Sequence, residues 1–132
     1  MSIFGIGTDL ATIQRIESVW QRHGDRFVQR LLHPRELEQF RQSSHPARFL
    51  AKSWAVKEAF GKALGTGVRG YENPEVGVER GKLGRPGLVY SQRMRERLDT
   101  MGVGHGHVSI SDEGGLVNAF VVLESTAATR QP

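Results

Sequence analysis

The sequence contains no cysteine, so disulfides, thiolate metal sites and cysteine nucleophiles are all excluded. It also has no run of about 18 apolar residues, the length that a membrane-spanning helix needs. The first ten residues, MSIFGIGTDL, lack the basic start and the long apolar stretch of a secretory signal. From these absences we expect a cytoplasmic protein.

An acidic excess is missing as well. The chain has 18 Lys and Arg against 14 Asp and Glu, which gives a formal net charge of +4 and a pI of about 10.0. A surface of this kind attracts anionic partners over a distance. Nucleic acids, phosphate-rich cofactors and acidic proteins all fit this charge, so the charge alone does not choose among them.

The length of the chain limits what one copy can enclose. Its 132 residues match a single domain, which we predict over residues 1–124, followed by a small and polar tail over residues 125–132. A domain of this size has a modest core and little room for a deep pocket of its own. An active site shared between subunits would remove that limit.

Hydrophobic spacing and helix end signals predict an α+β fold with a mainly antiparallel sheet. The longest helix is expected over residues 46–64, with Gly65 as its stop. Thr12, Pro34 and Ser91 mark the starts of three shorter helices. The predicted strands cover residues 3–7, 76–78, 88–90, 107–111 and 116–123.

The segment GIGTD, residues 5–9, carries the first candidate site residue. Its two glycines resemble the start of a dinucleotide-binding turn, but Leu10 stands where the third glycine of that turn belongs. What is left is the carboxylate of Asp9, at the expected end of the first strand. Asp9 is therefore a candidate metal ligand, and the alternative that it only helps to start the next helix stays open.

Glu58 and Lys62 are four residues apart on the long predicted helix, so they share one of its faces. An isolated pair of this kind is usually solvated and contributes little to stability. Two features favour a site instead. Gly61 is a poor helix former, which indicates that another group approaches the helix closely. The same face leads into residues 65–67, a Gly-Thr-Gly loop whose free N–H groups would suit a phosphate or an amide.

Asp9 and Glu58 together make the kind of two-carboxylate set that binds Mg²⁺, an ion that takes its other ligands from water and substrate phosphates. Lys62, one turn from Glu58, is placed to neutralise charge on the same phosphates. This combination predicts phosphoryl-type chemistry on a diphosphate. The prediction requires Asp9 and Glu58 to meet in space, which the fold must provide.

Two further segments are candidates for binding. His107 and Ser109 share the polar face of a half-buried strand, where exposure to solvent is the common alternative. Basic and apolar side chains also recur along the first predicted helix, a pattern typical of a solvated basic face or of a docking surface for an acidic helix. This basic surface comprises Arg15, Val19, Arg22, His23, Arg26 and Phe27.

In their order and spacing, these segments resemble the bacterial holo-acyl-carrier-protein synthase family of phosphopantetheinyl transferases. Each motif is weak alone, but the set is specific and spans residues 3–124. The motifs are GIGTDL at 5–10, FLAK at 49–52 followed by Trp54, KEA at 57–59, KALGTG at 62–67, LGRP at 83–86 and HVSIS at 107–111.

The resemblance implies a small α+β trimer with active sites between subunits. It implies transfer of the 4'-phosphopantetheine arm of coenzyme A to a serine of an apo-acyl carrier protein, in support of fatty acid biosynthesis. By carry-over, Asp9 and Glu58 bind Mg²⁺, Lys62 contacts the phosphates, Glu58 is the candidate general base, and the basic surface docks an acidic helix of the carrier. The implied coenzyme A contacts are Gly65, Thr66 and Gly67 along the pantetheine and, from a neighbouring subunit, Arg85, Pro86, His107 and Ser109.

The chain departs from the family pattern at residues 53 and 112. Ser53 stands where relatives often carry an arginine expected to contact the 3'-phosphate, and Asp112 stands where many have histidine. Lys52, Arg48 and Arg85 are candidates to replace the missing arginine. Neither departure falls on a proposed metal ligand.

Two other functions stay open from the sequence. A basic nucleic-acid-binding module would explain the pI, but it leaves Asp9, Glu58 and the glycine-rich loop without a role, and it predicts salt-sensitive binding. A non-catalytic trimeric family member is the second alternative, against which the presence of Asp9, Glu58 and Lys62 argues. We expect neither nucleic acid nor a membrane as a partner.

Overall fold

In the computed structural model, which describes residues 2–126, the first element is strand β1, Ile3–Thr12. The hydroxyl of Thr12 caps helix α1, Ile13–His23, by accepting a hydrogen bond from the N–H of Arg15 at 3.3 Å. Gly24, with a φ of +57°, ends α1. The remaining elements are α2 (Asp25–Leu31), α3 (Pro34–Arg41), α4 (Pro46–Leu64), a 3₁₀ helix (Asn73–Glu75), β2 (Val76–Arg80), β3 (Pro86–Tyr90), α5 (Gln92–Met101), β4 (Val103–Glu113) and β5 (Leu116–Ser125).

The strands within residues 2–126 form two antiparallel sheets. β1, β5 and β4 lie side by side in that order, and β2 pairs with β3. The long helix α4 packs against the larger sheet, with its predicted bounds and its stop at Gly65 confirmed. The predicted α+β fold with a mainly antiparallel sheet is confirmed as well. No helix in this part of the chain is long and apolar enough to span a membrane.

β1 is longer than the hydrophobic pattern predicted, because it continues past residue 7 to Thr12. Asp9 therefore lies inside a strand and not at its end. One face of β1 packs on α4 while the other is exposed, and the strand continues through Thr8 on the exposed face and Asp9 on the α4 face. Its backbone stays paired with β5 throughout this stretch.

β4 and β5 also extend beyond their predicted bounds. β4 begins at Val103 and includes Gly106, where a Cβ atom would lie 2.9 Å from Leu88 of β3. Gly106 makes room for β3. Because glycine is not typical of strands, this part of β4 was not predicted from the sequence. Ser125 is the last residue of β5 and donates its N–H to the carbonyl of Ser2 at 2.8 Å, so it does not belong to a tail. Residues 127–132 of the predicted tail lie outside the described residues.

Two glycines allow β1 to lie directly on α4. A Cβ atom at Gly5 would be 1.9 Å from the carbonyl oxygen of Ala63, and one at Gly7 would be 2.0 Å from that of Ala59. Atoms at these distances overlap, so any larger side chain would push the strand away from the helix. The glycines that resemble a dinucleotide-binding turn in the sequence thus serve strand-to-helix packing.

α4 also carries a buried lysine, Lys57, whose burial the sequence pattern did not predict. Lys57 Nζ donates to Glu36 Oε1 at 2.7 Å and to two backbone carbonyl oxygens. Glu36 in turn accepts the N–H groups of His33 and Val78, each at 3.0 Å. The side chains of the pair are 1% and 0% exposed. A buried ion pair of this kind needs all of these partners to offset the loss of hydration.

Lys57→Met is expected to lower the free energy of unfolding by about 3–5 kcal/mol, because it leaves the Glu36 charge buried without its cation. Lys52→Met is the matched control on the same helix. Lys52 is 28% exposed and lies 3.6 Å from Asp112, and an ion pair of this kind contributes at most about 1 kcal/mol. Urea unfolding followed by circular dichroism measures both variants, and equal losses would contradict the role given to Lys57.

Candidate active site

Asp9 and Glu58 line the same cavity, which has a volume of about 310 Å³. Asp9 faces the α4 side of the sheet, because it pairs with the buried Ala119 of β5. Glu58 comes from the middle of α4. The fold therefore brings the two candidate metal ligands together. The rest of the cavity wall consists of Leu10, Ala11, Thr12, Arg15, Ile16 and Trp54.

The electrostatics of this cavity distinguish its two carboxylates. Burial raises the pKa of Glu58, the negative charge of Asp9 raises it further, and Lys62 acts in the opposite direction. Lys62 Nζ lies 3.3 Å from Asp9 Oδ1 and donates to the carbonyl oxygen of Thr8 at 2.9 Å. Lys62 thus pairs with β1, and the solvated Glu58–Lys62 pair that the helical spacing allowed does not form.

The two carboxylates fit a hard divalent cation. Their mutual repulsion contributes to the raised pKa of Glu58, and a cation between them would remove that repulsion. Within residues 2–126, no group of three or more His, Cys, Asp and Glu side chains is arranged to hold a metal. An ion bound by Asp9 and Glu58 would therefore complete its shell with water and substrate oxygens, which is the usual manner of Mg²⁺.

Asn118 supports the strand that carries Asp9, and the sequence analysis missed it. Its side-chain amide donates to Thr8 Oγ1 at 3.1 Å and to the carbonyl oxygen of Asp9 at 3.2 Å. Hydrophobic alternation located β5, but alternation does not distinguish an asparagine that holds a neighbouring strand from one that faces solvent. Asn118 fixes the backbone at the point where Asp9 enters the cavity.

The loop that follows α4 folds back onto the helix. The N–H of Gly67 donates to the carbonyl oxygen of Gly61 at 2.9 Å, and the N–H of Gly65 donates to that of Lys62 at 3.1 Å. A Cβ atom at Gly61 would lie 2.6 Å from the carbonyl carbon of Gly67. The predicted close approach to Gly61 is confirmed, and the approaching group is the chain itself. The prediction of free N–H groups is wrong at Gly65 and Gly67, while the Thr66 hydroxyl donates to the carbonyl of Gly67 at 2.9 Å.

Arg85, Pro86 and His107 line a second cavity of about 860 Å³, between the β2–β3 hairpin and β4. None of its lining residues belongs to the Asp9–Glu58 cavity. His107 Nε2 lies 2.6 Å from Oε2 of Glu124, a partner that the sequence analysis missed. Asp9 and Glu58 on the one hand, and Arg85, Pro86 and His107 on the other, thus line two separate cavities within one chain.

Ser109 lies on the outward face of the larger sheet, which faces away from α4. It is in register with Phe120 of β5, which in turn pairs with Thr8 of β1. Phe120 is 42% exposed, and the neighbouring Ile6 and Leu10 of β1 are 58% and 64% exposed. The outward sheet face is therefore apolar at its centre, which is unusual for a surface that only meets water.

The basic surface is divided between two helices. Arg15, Val19 and Arg22 lie on α1, whereas Arg26 and Phe27 belong to α2. The prediction of one stripe along the first helix is wrong in this respect, because the glycine that ends α1 turns the chain between the two groups. The three arginines are exposed, and the two apolar side chains are half-buried.

The α2 part of the basic surface reaches toward the carboxylate cavity. His23, Arg26, Phe27 and Arg30 line a cavity of about 310 Å³, in which Arg30 is an addition to the predicted set. The ring of Phe27 lies 6.4 Å from that of Trp54, which forms part of the Asp9–Glu58 cavity wall. A partner bound on this surface would lie beside the two carboxylates.

Asp112 neutralises two of the cations that were candidates for a phosphate contact. Its Oδ2 atom lies 3.4 Å from Arg48 Nε, and its Oδ1 atom lies 3.6 Å from Lys52 Nζ. Ser53, where an arginine was expected from the resemblance, is buried. Arg85, the third candidate, lines the second cavity instead.

Known proteins are similar to this chain in sequence and in fold. A family described as the 4'-phosphopantetheinyl transferase superfamily matches residues 5–109. The chain is 48% identical to the holo-[acyl-carrier-protein] synthase of Laribacter hongkongensis, over 92% of this chain and 98% of that protein. The crystal structure of the Neisseria meningitidis synthase superposes with a TM-score of 0.90 at 40% identity, covering 93% of this chain and 99% of that one. The Helicobacter pylori synthase in complex with coenzyme A gives 0.79 at 28% identity, covering 90% and 99%.

Gly7→Ala is expected to lower the free energy of unfolding by about 1–3 kcal/mol, because the new methyl group overlaps the backbone of α4. Gly87→Ala in β3 is the matched control. The nearest atom to a Cβ there is 3.7 Å away, so this variant is expected to keep the stability of the parent protein or to gain slightly. Urea unfolding measures both. A tolerated Gly7→Ala would show that the β1–α4 contact is not tight.

Proposed function

The chain belongs to the 4'-phosphopantetheinyl transferase superfamily, and we propose that it transfers the phosphopantetheine arm of coenzyme A to a serine of an apo-acyl carrier protein. The observation that carries this proposal is the cavity shared by Asp9 and Glu58 beside Lys62. Two carboxylates and a lysine form a suitable set for binding and reacting a diphosphate.

Asp9 and Glu58 would hold the Mg²⁺ ion of the proposed reaction. When bound, that ion supplies positive charge next to the diphosphate of coenzyme A, where negative charge develops during transfer. Lys62 adds a second positive charge from the same face of α4. It already contacts Asp9 and the β1 backbone, so it lies beside the proposed metal ligand before the substrate arrives.

Glu58 is the proposed general base. The carrier serine Oγ attacks the phosphorus that bears the pantetheine arm, and its proton passes to Glu58. The new oxygen–phosphorus bond forms as the bond to the bridging diphosphate oxygen breaks, and adenosine 3',5'-bisphosphate leaves. Burial and the charge of Asp9 raise the pKa of Glu58 in the metal-free cavity, whereas a bound cation would act in the opposite direction, so the base role proposed for Glu58 rests on its place in the cavity.

The basic surface is the proposed docking site for an acidic helix of the carrier protein. Arg15, Arg22 and Arg26 offer exposed positive charge, and Val19 and Phe27 offer apolar contacts between them. Long-range attraction of this kind speeds the encounter of two oppositely charged partners. The contact of Phe27 with Trp54 supports the proposal, because it puts the docked helix next to the reacting groups.

The nucleotide half of coenzyme A is proposed to bind Arg85, Pro86, His107 and Ser109 of a neighbouring subunit in a trimer. The separation of the second cavity from the Asp9–Glu58 cavity supports this arrangement, because two chains would be needed to complete one site. The apolar outward sheet face is a suitable subunit contact. We propose that the surfaces of Gly65, Thr66 and Gly67 line the pantetheine arm. The N–H groups of Gly65 and Gly67 already donate hydrogen bonds to carbonyl oxygens of α4.

The biological role proposed for the reaction is fatty acid biosynthesis in the cytoplasm, and it rests on the family membership. A nucleic-acid-binding module explains only the basic charge and is not favoured. A non-catalytic family member is not favoured either, because Asp9, Glu58 and Lys62 are all present and Asp9 and Glu58 share one cavity.

Glu58→Gln is expected to reduce transfer by at least about 100-fold, because the variant loses both the proposed base and one negative metal ligand. Intact mass of an apo-acyl carrier protein after incubation with coenzyme A and Mg²⁺ measures the reaction, and EDTA is expected to suppress it. Glu38→Gln, an exposed change on α3, is the matched control. Near-normal transfer by Glu58→Gln would remove Glu58 from the mechanism. No mass gain by the parent protein with several carriers would overturn the transferase proposal.

Phe120→Glu is expected to dissociate the proposed trimer, because it puts a charge at the centre of the outward sheet face. Light scattering on a sizing column should then give the mass of one chain, 14.7 kDa, with circular dichroism unchanged. A parent protein that already has the mass of one chain would contradict the trimer.

A further inference from the structure

The 65–71 loop, which runs from the end of α4 toward the 3₁₀ helix, lies against α4 at both of its ends. Near its start, the N–H of Gly67 binds the carbonyl oxygen of Gly61. At its end, the ring of Tyr71 packs edge-on against Phe60, with ring centres 5.9 Å apart. Tyr71 is only 9% exposed. The middle of the loop, around Arg69, is exposed and spans the gap between these two contacts.

A single side chain from α5 holds that exposed middle. Arg97 Nη1 donates to the carbonyl oxygen of Gly70 at 2.5 Å, and Nη2 lies 3.4 Å from that of Arg69. The same guanidinium lies 5.8 Å from the centre of the Tyr71 ring. A planar group with several N–H donors can make these contacts together, whereas a lysine ammonium cannot reproduce the full set.

The α5 backbone beside Arg97 is anchored in the core, and the guanidinium leaves no space for a side chain at Gly70. Met94 and Leu98, on either side of Arg97 along α5, are buried in the core. Gly70 has a φ of +82°, and a Cβ atom there would lie 2.7 Å from Arg97 Nη1. Gly70 is thus the residue that allows the guanidinium to reach the loop backbone.

The held loop is attached to the part of α4 that carries the site residues, because its two contacts on α4, Phe60 and Gly61, lie between Glu58 and Lys62 in the chain. Burial raises the pKa of Tyr71, and the negative charge of Glu58 is the next contribution, so Tyr71 lies within electrostatic reach of the proposed base. The first residues of the loop are the proposed pantetheine wall. Asp9, Glu58 and Lys62 belong to β1 and α4, which Arg97 does not contact through any of these bonds.

We propose that Arg97 is a positioning residue that holds the 65–71 loop against α4 and so forms the pantetheine side of the coenzyme A site. The second half of this statement rests on the proposed function. The first half concerns the loop alone and can be measured without any substrate.

Arg97→Gln is expected to expose the bond after Arg69 to trypsin, because cleavage needs a loop that leaves the protein surface. Fragments 1–69 and 70–132, identified by mass, should form about tenfold faster than in the parent protein, in line with the loss of charge-assisted hydrogen bonds. The cleavage rate of Arg97→Lys is expected to lie between those of the parent protein and of Arg97→Gln. Arg93→Gln, the same change at an exposed position of α5, is the matched control and should leave the rate unchanged.

In the transfer assay, Arg97→Gln is expected to raise KM for coenzyme A about tenfold and to change kcat by less than about twofold, because the catalytic groups are not displaced. Arg97→Lys should recover part of the KM, and Arg93→Gln should match the parent protein. A general loss of stability would instead lower the fraction of active protein, so the apparent kcat would fall and KM would stay the same.

The two measurements give separable outcomes. An unchanged trypsin rate in Arg97→Gln overturns the hold on the loop. Faster cleavage with an unchanged KM overturns the link to coenzyme A. If the parent protein neither binds nor uses coenzyme A, the proposed function fails, and the trypsin comparison still decides whether Arg97 holds the loop.

Discussion

The distance between β1 and α4 determines where the carboxylates of the candidate site can be. At Gly5 and Gly7 the strand lies so close to the helix that a single methyl group would overlap a helix carbonyl oxygen. Because Asp9 follows on the same face of the strand, this contact brings its carboxylate toward Glu58 and within 3.3 Å of Lys62. A strand at ordinary distance from the helix would place the same residues around a wider and more hydrated space, where charges interact more weakly.

Neighbouring residues of α4 meet very different surroundings. Lys57 is enclosed and bound to Glu36, while Glu58 turns toward a cavity. Successive residues of a helix point about 100° apart, so one helix can present a core face and a site face in adjacent positions. The buried Lys57–Glu36 pair ties α4 to α3 and β2 on one side, and Lys62 ties it to β1 on the other. The helix that carries Glu58 is thus anchored on both sides of the site.

Much of the fold followed from local signals. Caps at Thr12 and Ser91 and the stop at Gly65 act within a few residues, so the sequence shows them directly. Asp9 and Glu58 could be proposed because few residue types bind Mg²⁺. The true extent of β1 was not visible, since backbone pairing with β5 holds it beyond its apolar residues. The hydrogen bonds of Asn118 and Arg97 were not visible in the sequence either, because their partners lie 109 and 27 residues away along the chain. Such contacts depend on the completed packing.

The pairing of β1 with β5 also bears on the order in which the molecule can fold. Among the elements of residues 2–126, β1 comes first and β5 last, so the strand that carries Asp9 gains its sheet partner only after all the intervening elements have been synthesised. Contacts between residues so far apart in sequence form late, because closing a long loop costs entropy before the contact repays it. A nascent or truncated chain that lacks β5 has no paired sheet to hold Asp9 opposite Glu58 and Lys62. The carboxylate pair is therefore a property of the assembled sheet, and neither β1 nor α4 can produce it without β5.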